Sequence, residues 1–216
     1  MRLFGHCLCL LVSGCLFYIG SPNQFLHFGP VAWVCFVPVL VRVRCIKSYL
    51  GQFFYLWLFF QLAFLALFYM DPFEYYQRYE TVWMLVILVA FFVVFPCLFS
   101  FVFFCFNRVS FYFEGGNSAL FFAGLWTLME IGLSRLPYGF PLSLAITQVQ
   151  FPEMIQFSSF LGGYCISFLM IVVNGFLVIG YVDQKISYFM VSLLIVLSCF
   201  IFGWMRIQSP IWLEES

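Results

Sequence analysis

From Val82 to Phe106 the chain carries no charged side chain, and this unbroken apolar run constrains the fold more than any other feature. A helix needs about 20 such residues to cross roughly 30 Å of hydrocarbon. Five further runs are of similar character: Leu3–Gly20, Tyr49–Met70, Ser118–Ser134, Pro152–Val182 and Ile186–Ile207. A shorter one, Phe28–Val41, holds Pro30 and Pro38, and Pro96 predicts a kink in the Val82–Phe106 run. Charged residues make up 8% of the 216, where soluble domains carry roughly a quarter. So few charges do not cover the surface of a soluble particle, and mean hydropathy of +1.06 excludes disorder as well as a soluble enzyme. The expected fold is all-α: a polytopic transmembrane helical bundle of about seven helices. It occupies residues 1–216 as one transmembrane domain, with no soluble domain.

Lys and Arg set the orientation. With the N-terminus cytoplasmic, Arg2, Arg42, Arg44, Lys47, Arg108 and Lys185 lie inside, and Arg78, Arg135 and Arg206 outside. Val12-Ser13-Gly14-Cys15 has the form of a lipobox, but His6 interrupts its apolar core and the run continues to Gly20. It therefore reads as part of a first span.

Nine Lys+Arg balance nine Asp+Glu without a long basic stretch, so nucleic acid is not an expected partner. The nine cysteines include no CxxC pair, and His6 and His27 are isolated, so neither a metal site nor a cofactor is expected. The 33 Phe read as compositional bias, because Phe and Leu are nearly interchangeable against lipid.

Glu130 is the one ionisable group clearly inside a span, four residues after Trp126 and on the same helix face. Arg135 and the turn Leu136-Pro137-Tyr138-Gly139-Phe140-Pro141 follow it. Two alternatives stay open here. Glu130 and Arg135 form a polar pocket at the outer membrane edge, or Glu130 is a buried group that bonds a neighbouring helix. Gln61 and Asn174 are expected to make interhelical hydrogen bonds, and Leu161-Gly162-Gly163 offers a close-packing face.

The order of these features resembles the bacterial apolipoprotein N-acyltransferase family. Trp126-x3-Glu130, then Gly139-Phe140-Pro141, then Gln148, is similar to that family's fifth-helix and loop signature. Gly163-x3-Ser167-Phe168-Leu169 with Asn174 after it resembles its next helix, and Ala32–Leu40 resembles its second. There are departures: Leu133 stands where the family has Arg, Leu142 where it favours Trp, and Tyr69-Met70 where it has an aromatic–Trp pair.

The resemblance implies a multi-pass protein of the bacterial inner membrane, active in lipoprotein maturation. Its acyl donor is a membrane phospholipid, and its acceptor is the N-terminal Cys of a lipoprotein. The pocket candidates it implies are Trp126, Glu130, Arg135, Gly139, Phe140, Pro141 and Gln148. In that family the chemistry belongs to a nitrilase-like domain with a Glu-Lys-Cys set. Here the only lysines, Lys47 and Lys185, lie in inner loops and no cysteine lies in an outer loop. A thioester mechanism needs an activated thiolate beside a base and a cation. No catalytic residue is therefore assigned to these 216 residues. The chain is expected to be truncated or the membrane half of a split enzyme, served by a separate nitrilase-like chain. The alternative is a non-catalytic lipid-binding or scaffold protein.

Overall fold

The computed structural model describes residues 2–23, 25–68, 89–113, 115–135 and 143–209. Helix is the only regular structure among them. The long elements are α1 (Arg2–Gly20), α3 (Tyr49–Phe68), α4 (Phe95–Val109), α5 (Asn117–Ser134), α8 (Gly163–Asp183) and α9 (Ile186–Gln208). Shorter pieces are α2 (Val37–Val43), α6 (Pro152–Ile155), α7 (Ser158–Leu161) and 3₁₀ turns at Gly29–Trp33 and Leu144–Gln148. Four stretches are long and apolar enough to span a bilayer, Tyr49–Leu67, Phe92–Val109, Gly163–Asp183 and Ile186–Gln208, and α1 and Gly29–Val43 are shorter apolar ones. The protein is a helical membrane bundle.

Two expected spans are not continuous helices. Phe28–Val41 breaks into a 3₁₀ turn and α2, because Pro30 and Pro38 each open a new helical turn. The sixth span begins only at Gly163, after α6 and α7. Gly162, at φ 77°, stands at the break, a conformation that disfavours a β-carbon. Leu161-Gly162-Gly163 is thus a hinge between helices and not the expected packing face. The close approach is made instead by Gly175 of α8, where a β-carbon would stand 2.8 Å from that of Ala119 on α5.

The predicted kink in the fourth span has a visible cause. Pro96 has no N–H to give the Phe92 carbonyl, and a π-helical turn, Ala90–Val94, leads into α4. Gln61 of α3 supplies the missing donor, its Nε2 lying 2.5 Å from that carbonyl. Gln61 therefore makes the interhelical bond expected of it.

The phenylalanines are more than lipid-facing filler. Phe36, in the break between the 3₁₀ turn and α2, meets Phe17, Phe59, Phe60, Phe103 and Trp126 at ring distances of 5.0–6.3 Å. Phe103 and Phe106 of α4 extend the cluster to Phe122 of α5 at 5.0 and 4.4 Å. Such pairs contribute about 0.5–1.5 kcal/mol each beyond their burial and depend on ring geometry, so Leu does not replace Phe here. Other phenylalanines, Phe4, Phe54, Phe101 and Phe121 among them, are exposed along the bundle and fit the lipid-facing expectation.

Polar contacts gather the basic residues of alternate loops at one end. Arg42 Nε donates to His6 Nδ1 at the start of α1, Arg44 Nη2 to Ser110 Oγ after α4, and Arg108 lies over the Tyr49 ring at the start of α3. Tyr188, beside Lys185, packs against Phe176 and Gly115 just before α5. Glu130, near the far end of α5, therefore lies toward the opposite end of the bundle.

Candidate functional site at the two broken segments

Two interrupted segments meet at that opposite end. Non-helical backbone at membrane depth persists only where its polar groups find partners inside the protein. Each segment starts new turns whose first N–H groups have no acceptor within their own helix. The sequence supplies the acceptors from other helices.

For the first segment, Asn174 Oδ1 on α8 accepts from Phe36 N at 3.0 Å, and Ser13 Oγ on α1 accepts from Val39 N at 2.9 Å. Asn174 Nδ2 also donates to Met170 O at 2.9 Å, with Ala32 O at 3.4 Å. The interhelical bond expected of Asn174 is thus made to a broken strand of backbone, not to a side chain. Ser13, the second residue of the lipobox-like tetrapeptide, is fully buried within a continuous α1.

For the second segment, Glu130 is the acceptor. Its Oε1 takes hydrogen bonds from Trp126 Nε1 at 2.6 Å and from Leu144 N at 2.7 Å, and its Oε2 takes one from Ser143 Oγ at 3.2 Å. Ser167 Oγ on α8 accepts from Ala145 N at 3.0 Å and lies 3.1 Å from Ser143 Oγ. Both first-turn donors of the Leu144–Gln148 turn are thereby capped from α5 and α8. Glu130 is 3% exposed, and its hydrogen-bond partners among the described residues are neutral.

The segments are then joined to each other. Gln148, fully buried, donates through Nε2 to Gly29 O at 2.7 Å and to Thr147 Oγ1 at 2.8 Å, and accepts from Trp33 Nε1 at 3.2 Å. His27 Nε2 reaches Thr147 O at 2.8 Å. The Thr147 carbonyl approaches Gly29 so closely that a β-carbon there has no room. One polar network therefore runs from α5 and α8, through both breaks, to α1.

Of the expected site residues, the structure brings together Trp126, Glu130 and Gln148. Arg135 caps the end of α5, exposed, and among the described residues it does not pair with Glu130. Gly139, Phe140 and Pro141 lie outside the described residues. Sequence reasoning did not single out Ser13, His27, Ser143 or Ser167 as site residues. Ser167 stands within Gly163-x3-Ser167-Phe168-Leu169, so a pattern marked it, whereas nothing local distinguishes Ser13 from other span serines. Among the described residues no cluster of His, Cys, Asp and Glu has metal-binding geometry.

Residues 13–176 match the family model of the apolipoprotein N-acyltransferase N-terminal domain. That span includes both broken segments and every residue of the polar network. A comparison with curated proteins finds no match.

Proposed function

This chain belongs to the apolipoprotein N-acyltransferase family, in its N-terminal domain, and from that premise we propose that it serves lipoprotein maturation in a bacterial inner membrane as the membrane part of an acyl-transfer system. The observation that carries this reading is the pair of broken segments cross-linked by Glu130, Gln148, Ser167 and Asn174. They make a rigid polar floor at one end of an otherwise apolar bundle. With the basic loops cytoplasmic, that floor faces outward, where the lipoprotein N-terminus is presented.

In this reading Trp126, Glu130 and Gln148 are positioning residues. They hold the Leu144–Gln148 turn. Arg135, at the exposed end of α5, meets either the donor phosphate or the catalytic domain. The nucleophile comes from a nitrilase-like domain, on a separate chain or a continuation of this one. The donor acyl ester forms a thioester on that domain's Cys, releasing the lysophospholipid. The lipoprotein amine then displaces the thiolate to give the amide.

The test is complementation in a strain depleted of its own acyltransferase and supplied with a nitrilase-like domain carrying its terminal helix. N-acylated lipoprotein is expected only when this chain is co-expressed, with the acyl-thioester found by mass spectrometry on the supplied domain. A thioester on a cysteine of this chain, or no acylation with both parts present at normal abundance, overturns the proposal.

A further inference from the structure

We propose that the basic end of the bundle holds a second lipid, an anionic glycerophospholipid whose phosphate sits between Arg44 and Arg108. It is independent of the acyl donor, which the proposed function places at the opposite end.

Two guanidinium groups are fixed on the same small structure. The loop from Arg44 to Tyr49 crosses the end of α4. At one side of it Arg44 Nη2 donates to Ser110 Oγ at 2.9 Å, with its guanidinium carbon 5.7 Å from the Phe106 ring centre. At the other side Arg108 stacks 4.1 Å above the Tyr49 ring. Neither arginine has an ion pair among the described residues. Among the described residues the acidic group that acts on Arg44 is Asp183 at the end of α8, which makes no ion pair with it. Arg44 Nε is buried without an acceptor, so this guanidinium holds a donor that the described residues leave unsatisfied. An arginine stacked over an aromatic ring, as Arg108 is over Tyr49, keeps its edge N–H groups available to a phosphate.

The surroundings specify a lipid and not a free anion. Phe111, Tyr112 and Phe113, directly after Ser110, are 66%, 76% and 52% exposed, and Tyr49 and Leu50 are 58% and 65% exposed. Exposed aromatics in this position form the belt that sits at headgroup level. A phosphate bound at the arginines thus continues into acyl chains that lie on those rings.

The experiment uses the full chain in mild detergent, with binding read by native mass spectrometry. Dioleoyl-phosphatidylglycerol is titrated against phosphatidylcholine of the same chains, with inorganic phosphate as a third arm. Phosphatidylglycerol is expected to bind more than phosphatidylcholine, and Arg108→Gln to reduce its binding about fivefold, the scale of one basic residue at a lipid surface. Arg44→Gln is expected to act similarly, and Arg44→Lys to recover part of the loss. All are scored as the ratio of the two lipids within one preparation, so reduced folding does not imitate the effect. Lys185→Gln, which removes an equal charge from another loop at the same end, should leave the ratio unchanged. Equal binding of the two lipids overturns the site. So does an equal loss in Lys185→Gln, which means diffuse surface charge, or full displacement by inorganic phosphate, which means a free-anion site.

Discussion

The two open alternatives for Glu130 separate cleanly on one pair of substitutions. Oε1 takes two hydrogen bonds, from Trp126 Nε1 and Leu144 N, and Oε2 takes one from Ser143 Oγ. In Glu130→Gln the amide oxygen replaces Oε1 and keeps both. The amide nitrogen then donates to Ser143 Oγ, which turns its own hydroxyl to Ser167 Oγ, 3.1 Å away. The two buried donors, Trp126 Nε1 and Leu144 N, keep their acceptor, so the cost is about 1 kcal/mol or less. Glu130→Leu is close in volume but strands two buried donors at about 1–3 kcal/mol each, a total of about 2–6 kcal/mol. Hydrogen bonds inside membranes average less, about 0.6 kcal/mol, which places the expected loss toward the lower figure. The assay is thermal or denaturant unfolding of purified chain in a fixed detergent, run beside complementation with membrane abundance scored. The expected result is near-normal stability and complementation for Gln, and loss of both for Leu. Should Gln unfold as readily as Leu, or lose complementation at normal abundance, the negative charge itself is needed and Glu130 belongs to a pocket with a cationic partner.

Two further predictions rest on other elements. Gln61→Leu removes the donor to Phe92 O and is expected to cost about 0.5–1.5 kcal/mol, but much less in a Pro96→Ala background, where an N–H returns to that carbonyl; equal costs in both backgrounds refute the assignment. For topology, a reporter in the Arg42–Lys47 loop is expected on the cytoplasmic side and one after Ser216 on the outer side, and the same side for both contradicts the seven-span count.

Hydropathy alone made the bundle readable, because a lipid environment leaves helix as the only way to pair the backbone within each segment. The boundaries of α3, α5 and α9 fall within a few residues of the apolar runs. The breaks were less readable. Pro30 and Pro38 pointed to a weak second span, yet nothing in residues 28–41 names the groups that rescue its backbone. Those groups, Ser13, Gln148 and Asn174, stand up to 142 residues away from the atoms they satisfy. Such pairing is a property of helix packing and leaves no local pattern. Glu130 was legible as a buried acid, but its principal new partner, the Leu144 amide, carries no side-chain signature. The role of individual phenylalanines is illegible for a similar reason: composition does not distinguish a ring that meets five others from one that meets lipid.

The same long-range capping predicts that the first break behaves as one unit. Asn174 holds Phe36 N and Ser13 holds Val39 N, three residues apart on the same piece of backbone. Asn174→Ala orphans a fully buried N–H and frees the Phe36 turn, at an expected cost of about 1–3 kcal/mol. Once that turn is free, Val39 no longer sits firmly against Ser13, so Ser13→Ala has less left to lose. The double variant is therefore expected to fall short of the summed single losses by about 0.5–1 kcal/mol, within the range for residues of one network. Gln61→Leu acts on a different segment, and its loss should add to that of Asn174→Ala within about 0.5 kcal/mol. Unfolding of the six proteins, wild type included, in one detergent gives both cycles. Additive losses for Ser13 and Asn174 mean that the two caps act independently and the break is not a single element. Strong coupling of Asn174 to Gln61 means instead that the whole bundle loosens at once, and that the polar network has no mechanical identity of its own.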